Sequence, residues 1–88
     1  MDNVLTLDLR SLKIPCEERH RLVTFAWDEL RDGEHFIIQT DHDPQPLRQK
    51  LNQRSRGRLR WTYLESGPRI YRIQIEKPVA HRQNMAAS

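Results

Sequence analysis

The chain of 88 residues, 36% hydrophobic and 31% charged, is long enough for one domain with one modest core. Its formal net charge of +3 suggests anionic partners, whereas its single cysteine, Cys16, excludes an internal disulfide and suits a reducing cytoplasm. No run reaches the ~20 apolar residues of a membrane span, and the N-terminal MDNVLTLDLR lacks a basic region followed by an apolar one, so we expect a cytoplasmic protein.

The first third of the chain predicts a strand followed by a helix. Residues Val4–Leu9 alternate leucine with other residues, which indicates a strand whose leucine face is buried. A helix is predicted from Pro15 to Arg31, because proline suits the first helical position and Gly33 can supply a left-handed cap. The predicted buried stripe of this helix comprises Leu22, Val23, Ala26, Trp27 and Leu30.

The remaining elements follow from the same periodicities. Glu34–Thr40 predicts a second strand, and a second helix is predicted from Pro44 to Arg54. Two alternating segments, Leu59–Glu65 and Arg69–Glu76, predict a hairpin closed by the turn Ser66-Gly67-Pro68. The domain is expected to cover residues 1–77, and residues 78–88, which show no pattern, are expected to form a flexible tail.

The predicted order is βαβαββ. Crossover helices of this length favour parallel pairing of the first two strands with a right-handed connection. Both helices then lie on one face of a mixed four-stranded sheet. The sequence therefore predicts an α/β fold of the α+β two-layer sandwich type.

This topology predicts a functional edge. In a strand–helix unit the helix N-terminus lies beside the carboxyl end of the preceding strand, and the order contains two such units. Their helix starts should be neighbours along one edge, where exposed N–H groups and positive dipole ends suit an anion or a thiolate. The residues expected to reach this edge are Asp8, Arg10, Cys16, Arg19, His20, Asp41, His42 and Asp43.

The segment TDHDPQPL, residues 40–47, is the densest in chemical groups. Asp43 directly before Pro44 is a good N-cap followed by a good first helical residue, which is a structural role. His42 has no obvious structural role and is the better functional candidate. A metal site also stays open, although the spacing matches no recognised metal motif. Its candidate ligands are His20, His42 and Asp41.

Cys16 is predicted at the second position of the first helix, where the helix dipole favours a thiolate. Arg19 and His20, one turn further on, add positive charge, while Glu17 and Glu18 oppose it. A small cysteine without special reactivity is the alternative interpretation.

A run of cations precedes the aromatic residues Trp61 and Tyr63. A cationic patch near aromatic side chains can hold phosphates and stack bases. Both aromatic residues, however, share a strand face expected to cover the core, and charge runs on a short helix usually form a solvated face. Nucleic-acid binding is therefore kept only as a second alternative. Its cations would be Arg48, Lys50, Arg54, Arg56, Arg58 and Arg60.

The segments LDLRSL, PCEERH, TDHDPQPL and LRWTYLESGPRIYRIQI resemble an uncharacterised bacterial family, domain of unknown function 2249, from Val4 to roughly Glu76. The triplet ERH (residues 18–20) and the segment DHDPQPL are its most specific marks. Such domains occur alone or joined to hemerythrin-like or cupin-like partners, often in respiratory and nitrogen-oxide contexts. The resemblance implies an accessory role in redox metabolism without naming a reaction.

The implied fold is similar to that of the TusA/SirA sulfur carriers, which share the βαβαββ order. Those carriers place a persulfide-bearing cysteine immediately before the proline that opens the first helix. Here Ile14 holds that position and Cys16 follows Pro15. A shift of one residue turns a helical side chain by ~100°, so a sulfur carrier using Cys16 is kept as an alternative function.

We expect a binding or accessory module and not an independent enzyme. Its ligand would be a small anion, a metal ion or a protein partner, with no membrane contact and no cofactor that the sequence identifies. Its binding residues would be Arg19, His20, Asp41, His42 and Asp43.

Overall fold

The computed structural model describes residues 5–11 and 14–79. The predicted start of the first strand at Val4 and the predicted tail beyond residue 79 lie outside these residues. The observed elements are β1 (Thr6–Asp8), a 3-10 turn (Leu9–Ser11), α1 (Cys16–Glu29), β2 (His35–Thr40), α2 (Gln45–Arg54), β3 (Arg60–Ser66) and β4 (Tyr71–Glu76). The predicted βαβαββ order is confirmed. No helix in the described part of the chain is both long and apolar enough to cross a membrane.

The four strands form one mixed sheet in the order β1-β2-β4-β3. The β1 strand pairs with β2 in parallel, and Leu7 lies opposite Ile38. The β4 strand pairs antiparallel with β2 on one side and with β3 on the other, so that Ile73 lies opposite both Ile38 and Tyr63. The carboxyl ends of β1 and β2 therefore lie at the same edge of the sheet.

One face of the sheet is buried against both helices. Val23 and Trp27 of α1 and Leu47 and Leu51 of α2 belong to the same core cluster as the inward-facing strand residues. Because both helices reach one core, they lie on one face, as the sequence predicts. The strand and turn residues of this core are Leu9, Phe36, Ile38, Ile73 and Ile75.

Two residues predicted to be buried are exposed. Leu5 is 52% exposed and Leu22 is 41% exposed. The β1 strand has only three residues and lies at the edge of the sheet, so it offers little surface for neighbouring apolar side chains. The buried part of the leucine face of β1 and the buried stripe of α1 are thus each smaller than predicted.

The end of α1 also differs from the prediction. The helix ends at Glu29, and Leu30 leaves it in an extended conformation with φ −71° and ψ 141°. Gly33 has the expected positive φ of 90°, but it lies in the turn before β2, where its N–H donates to the carbonyl of Lys77 at 2.6 Å. The Lys77 ammonium lies 4.6 Å from the centre of the Trp27 ring and donates to the Leu30 carbonyl, so a strand-end lysine covers the helix end.

The hairpin contains a bulge that the alternation did not reveal. The β3–β4 register shifts between Tyr63 and Glu65, so Glu65 lies opposite Arg72. Glu65 therefore does not share a face with Tyr63 as predicted, because the extra residue, Leu64, reverses the alternation. Leu64 is 44% exposed.

Candidate functional site

The two helix starts meet at the edge formed by the carboxyl ends of β1 and β2. Charge on Asp41, just after β2, acts on Arg10 just after β1 and on Arg19 in the first turn of α1. The charge on His42 acts on the imidazole of His20. The structure thus brings together the segments around residues 16–20 and 41–43. We call this surface the rim, and its residues are Arg10, Arg19, His20, Asp41, His42 and Lys50.

His20 belongs to the rim and is half-buried. Its Nδ1 atom is buried and has no hydrogen-bond partner among the described residues. Burial is the main cause that lowers the pKa of this imidazole. The charges of Lys50, His42 and Arg19 lower that pKa further, in that order, and only Glu17 opposes them. The two cations Lys50 and Arg19 and the imidazole of His42 therefore all act to disfavour the charged form of His20.

His42 projects from the loop between β2 and α2 and is 59% exposed. Its Nδ1 lies 2.8 Å from Oδ1 of Asp41 and 3.5 Å from Oγ1 of Thr40. The hydrogen bond with His42 is the main cause that lowers the pKa of the Asp41 carboxyl. Asp41 engages Nδ1, and the Nε2 atom has no hydrogen-bond partner in the described part of the chain.

Asp43 does not cap α2, so this prediction was wrong. Pro44 occupies the N-cap position, and no side chain caps the helix. The Asp43 carboxylate instead accepts a hydrogen bond from the Tyr63 hydroxyl at 2.8 Å and another from Nε2 of Gln45 at 3.0 Å. Asp43 lies one residue before the N-cap position and does not reach the first N–H groups of α2. Its carboxylate links the loop between β2 and α2 to β3.

Asp8 and Arg10 form an ion pair at the end of β1. Both Nε and the terminal nitrogen of Arg10 lie 3.0 Å from the Asp8 oxygens. This side-chain hydrogen bond lowers the pKa of Asp8 and raises that of Arg10. Arg19 differs, because its Nε donates to the backbone carbonyl of Ile14 at 3.2 Å. Its guanidinium charge is therefore less compensated than that of Arg10.

Cys16 is the first residue of α1 and is exposed. The helix begins one residue later than predicted, because Pro15 precedes it with φ −59° and ψ 154°. The Pro15 carbonyl accepts the N–H groups of Glu18 and Arg19, at 2.9 and 3.1 Å. The thiol thus lies at the helix start, beside the rim.

An open groove of about 410 Å³ runs between the two helices and shares Lys50 with the rim. Thr24, Gln53 and Arg54 complete its lining. The Thr24 hydroxyl donates to the His20 carbonyl at 2.8 Å, so the groove begins one helical turn from His20. The sequence pattern assigned Lys50 to the basic run and missed its position near His20, because only the packing of α2 beside α1 brings them together.

The basic run largely engages other parts of the same domain. Arg54 donates two hydrogen bonds to Asp28, at 2.8 and 2.6 Å, and Arg60 lies 3.5 Å from Glu76. Arg58 donates to the Pro78 carbonyl at 3.1 Å and lies 3.8 Å from Asp32. These contacts neutralise part of the positive charge that would otherwise attract the phosphate backbone of a nucleic acid.

The aromatic residues next to the basic run are also occupied. Arg48 lies 5.6 Å from the centre of the Trp61 ring, and the Tyr63 ring packs nearly perpendicular to the Trp61 ring with 6.2 Å between centroids. Trp61 is half-buried, and its Nε1 is buried without a partner among the described residues. This arrangement leaves little of the Trp61 ring for stacking on a base.

The candidate metal ligands His20, His42 and Asp41 all lie at the rim. Within residues 5–11 and 14–79, no group of three or more His, Cys, Asp and Glu side chains is arranged to hold a metal ion. The Oδ1 atom of Asp41 is already engaged by Nδ1 of His42.

Comparison with known proteins identifies the family. A family model described as "Uncharacterized conserved protein (DUF2249)" matches residues 6–77, which include all seven observed elements. No curated protein and no solved structure matches the chain. The similarity to the TusA/SirA carriers therefore stays a prediction that rests on the order of the elements. The chain belongs to the DUF2249 family of uncharacterized conserved proteins.

Proposed function

We propose that this domain is a small accessory module that binds a small oxyanion at the rim. The observation that supports it best is that Lys50, His42 and Arg19 are all close enough to the half-buried His20 to lower its pKa. An anion bound near Lys50 and Arg19 interacts favourably with both of these positive charges. The N–H groups at the start of α1 add positive partial charge at the same place.

The carboxylates of this edge already have partners within the domain. Asp8 is bonded to Arg10, Asp41 to His42, and Asp43 to Tyr63. A metal ion would have to displace at least one of these partners, whereas an anion needs only the cationic side. The chemistry of the rim therefore favours an anion over a metal ion.

The wider role that we propose rests on the family resemblance. An accessory function in redox or respiratory metabolism, in the cytoplasm, would have the domain bind a ligand and present it to a protein partner. The exposed His42 is suited to this, because it can contact both a bound anion and a partner surface.

Nuclear magnetic resonance titration with inorganic phosphate, at constant ionic strength set by chloride, tests the proposal. We expect saturable shifts centred on residues 16–20 and 41–42. Lys50→Gln should weaken binding roughly two- to fivefold, equivalent to ~0.5–1 kcal/mol for one exposed charge pair. Arg31→Gln is the matched control, because Arg31 is an exposed cation beyond the opposite end of α1.

Three results would contradict oxyanion binding at the rim. The first is a set of shifts that is linear in phosphate or spread over the whole surface. The second is an equal loss of affinity in Lys50→Gln and Arg31→Gln. The third is a stoichiometric transition metal in protein purified without chelators or a histidine tag, which would favour the metal site.

A sulfur carrier is a second candidate function, and the exposure of Cys16 at the first residue of α1 favours it. A persulfide carrier requires a thiol that its partner proteins can reach, and the Cys16 thiol is exposed. The rate of iodoacetamide labelling at pH 6, compared with that of a free cysteine peptide, tests it. Labelling much faster than the peptide would support a carrier, and labelling at or below the peptide rate would remove it.

A further inference from the structure

Polar side chains form a continuous strip from the rim along the boundary between the two helices. On α1, His20, Thr24 and Asp28 are spaced by four residues, so they lie on one side of the helix. Lys50 and Arg54 of α2 are also four residues apart. The charge of Lys50 acts on His20, and Arg54 donates two hydrogen bonds to Asp28, so the two sets of side chains lie beside each other. We call these five residues the seam.

The space along the seam is open. Helices in contact usually fill the space between them with interlocking side chains, whereas a groove of about 410 Å³ lies here between α1 and α2. This volume falls within the ~300–1,000 Å³ of small-molecule sites. At ~30 Å³ for each water, it holds about 14 water molecules. An inorganic oxyanion beside Lys50 therefore leaves most of the groove unfilled.

The lining of the groove suits a polar ligand. Thr24, Lys50, Gln53 and Arg54 line it, and none of the four is aliphatic or aromatic. The Gln53 amide can both donate and accept, and the Thr24 hydroxyl, which donates to the His20 carbonyl at 2.8 Å, can still accept. Hydroxyl groups match this lining, because each of them donates and accepts. An apolar group or a stacked base would find no complementary surface.

The positive charge available to a ligand lies at the rim end of the groove. Arg54 is engaged by Asp28 at 2.8 and 2.6 Å, and this hydrogen bond is the main cause that raises the pKa of Arg54. Lys50 has no ion-pair partner in the part of the chain that the structure describes. The groove therefore suits a ligand with one anionic end and a neutral, polar body.

We propose that the rim and the groove together bind one sugar or polyol that carries a phosphate group. Its phosphate lies beside Lys50 and Arg19, and its hydroxyl groups exchange hydrogen bonds with Gln53 and Thr24. A phosphate monoester has a charge of about −1.5 to −2 at pH 7, which matches these two cations. The inference rests on the oxyanion binding proposed above and names the organic part of that ligand.

Nuclear magnetic resonance titration of the full chain at constant ionic strength tests the proposal. The probes are inorganic phosphate, ribose 5-phosphate, phenyl phosphate and adenosine monophosphate. Ribose 5-phosphate should bind roughly five- to tenfold more tightly than inorganic phosphate, because its hydroxyl groups add hydrogen bonds in the groove. It should also shift the resonances of Thr24 and Gln53. Phenyl phosphate should bind no more tightly than inorganic phosphate, and adenosine monophosphate no more tightly than ribose 5-phosphate.

Variants locate the organic part of the ligand. Gln53→Met removes the amide and keeps a good helix former of similar length. It should reduce the advantage of ribose 5-phosphate over inorganic phosphate to less than about twofold. Asn52→Met is the matched control and should leave that advantage unchanged. Asn52 is an exposed amide of α2 that lies outside the groove, two residues or ~200° from Lys50 around the helix.

The outcomes separate this inference from the proposed function. If inorganic phosphate saturates the rim and ribose 5-phosphate binds no more tightly, the inference about the groove is wrong and oxyanion binding stands. If neither ligand saturates, both are wrong. The inference is also overturned if phenyl phosphate or adenosine monophosphate binds more tightly than ribose 5-phosphate, or if Asn52→Met and Gln53→Met cause an equal loss. Circular dichroism of each variant checks that the helix content is unchanged.

Discussion

Removing the hydroxyl of Tyr63 should destabilise the domain, because it removes a hydrogen bond between β3 and the loop that joins β2 to α2. Tyr63→Phe keeps the ring that packs against the core and removes the donor that lies 2.8 Å from Asp43. A hydrogen bond to a charged group contributes about 1.5–3 kcal/mol, and water reaches the half-buried Asp43 and replaces part of that loss. We therefore expect a decrease of ~1 kcal/mol in the free energy of unfolding, or ~4–8 °C in Tm for a domain of this size.

Urea unfolding of a double-mutant cycle measures this bond directly. Asp43→Ala alone should cost ~1–1.5 kcal/mol, because it removes the acceptor of both Tyr63 and Gln45. In the Tyr63→Phe background the cost of Asp43→Ala should fall by ~1 kcal/mol, since the shared interaction is already absent. Tyr71→Phe is the control, because the Tyr71 hydroxyl has no hydrogen-bond partner among the described residues and lies on the same face of the sheet.

A coupling energy near zero would refute this reasoning. If Asp43→Ala costs the same with and without the Tyr63 hydroxyl, the hydrogen bond between Tyr63 and Asp43 contributes nothing to the free energy of unfolding. The loss at Asp43 would then have to come from the start of α2, as the N-cap prediction from sequence required. An equal loss in Tyr71→Phe would show that the hydroxyl effect is not specific to this contact.

Three further predictions concern the rim and the helix pair. His42→Ala should change Tm by less than ~3 °C, because its ring is 59% exposed; a larger loss in differential scanning calorimetry would assign His42 a structural role. The pKa of His20 is lowered from 6.5, so the unfolded chain binds its proton more readily. The domain should have its full stability above pH 6.5 and lose stability as the pH drops through 6.5 toward the folded pKa of His20. In the His20→Gln variant, the urea midpoint should therefore change less between pH 7.5 and pH 5.5 than it does in the unmodified chain. Arg54→Gln should lower the urea midpoint at low salt and have a smaller effect at 1 M salt, because its pairing with Asp28 is exposed to solvent; a loss independent of salt would indicate packing and not charge.

The order of the elements and most of the core could be read from the sequence. Each helix starts within one residue of a proline that fixes the backbone before the first turn. Val23, Trp27, Leu47 and Leu51 are buried as their spacing predicts. These features depend on residues within one or two turns of each other, so a local pattern is enough to find them.

The partners of the candidate site residues could not be found in this way. Asp43 accepts a hydrogen bond from Tyr63, which is 20 residues away. The pKa of His20 is lowered by the charge of Lys50, which belongs to a different helix. Nothing in the sequence around Asp43 distinguishes a capping carboxylate from one that turns toward a neighbouring strand. The choice depends on where β3 passes, and that is decided by the pairing of the whole sheet.

The sequence by itself determined that two helix starts share one edge, because strand direction and helix order leave a single arrangement of short connections. Only the tertiary structure decided which charged groups at that edge are paired with one another, and that Leu22 and Phe25 face solvent. The physical reason is that burial and ion pairing depend on surfaces supplied by distant segments. Val23 and Trp27 take the side of α1 that meets the core, and no local pattern records how wide a strip of the helix the rest of the domain covers.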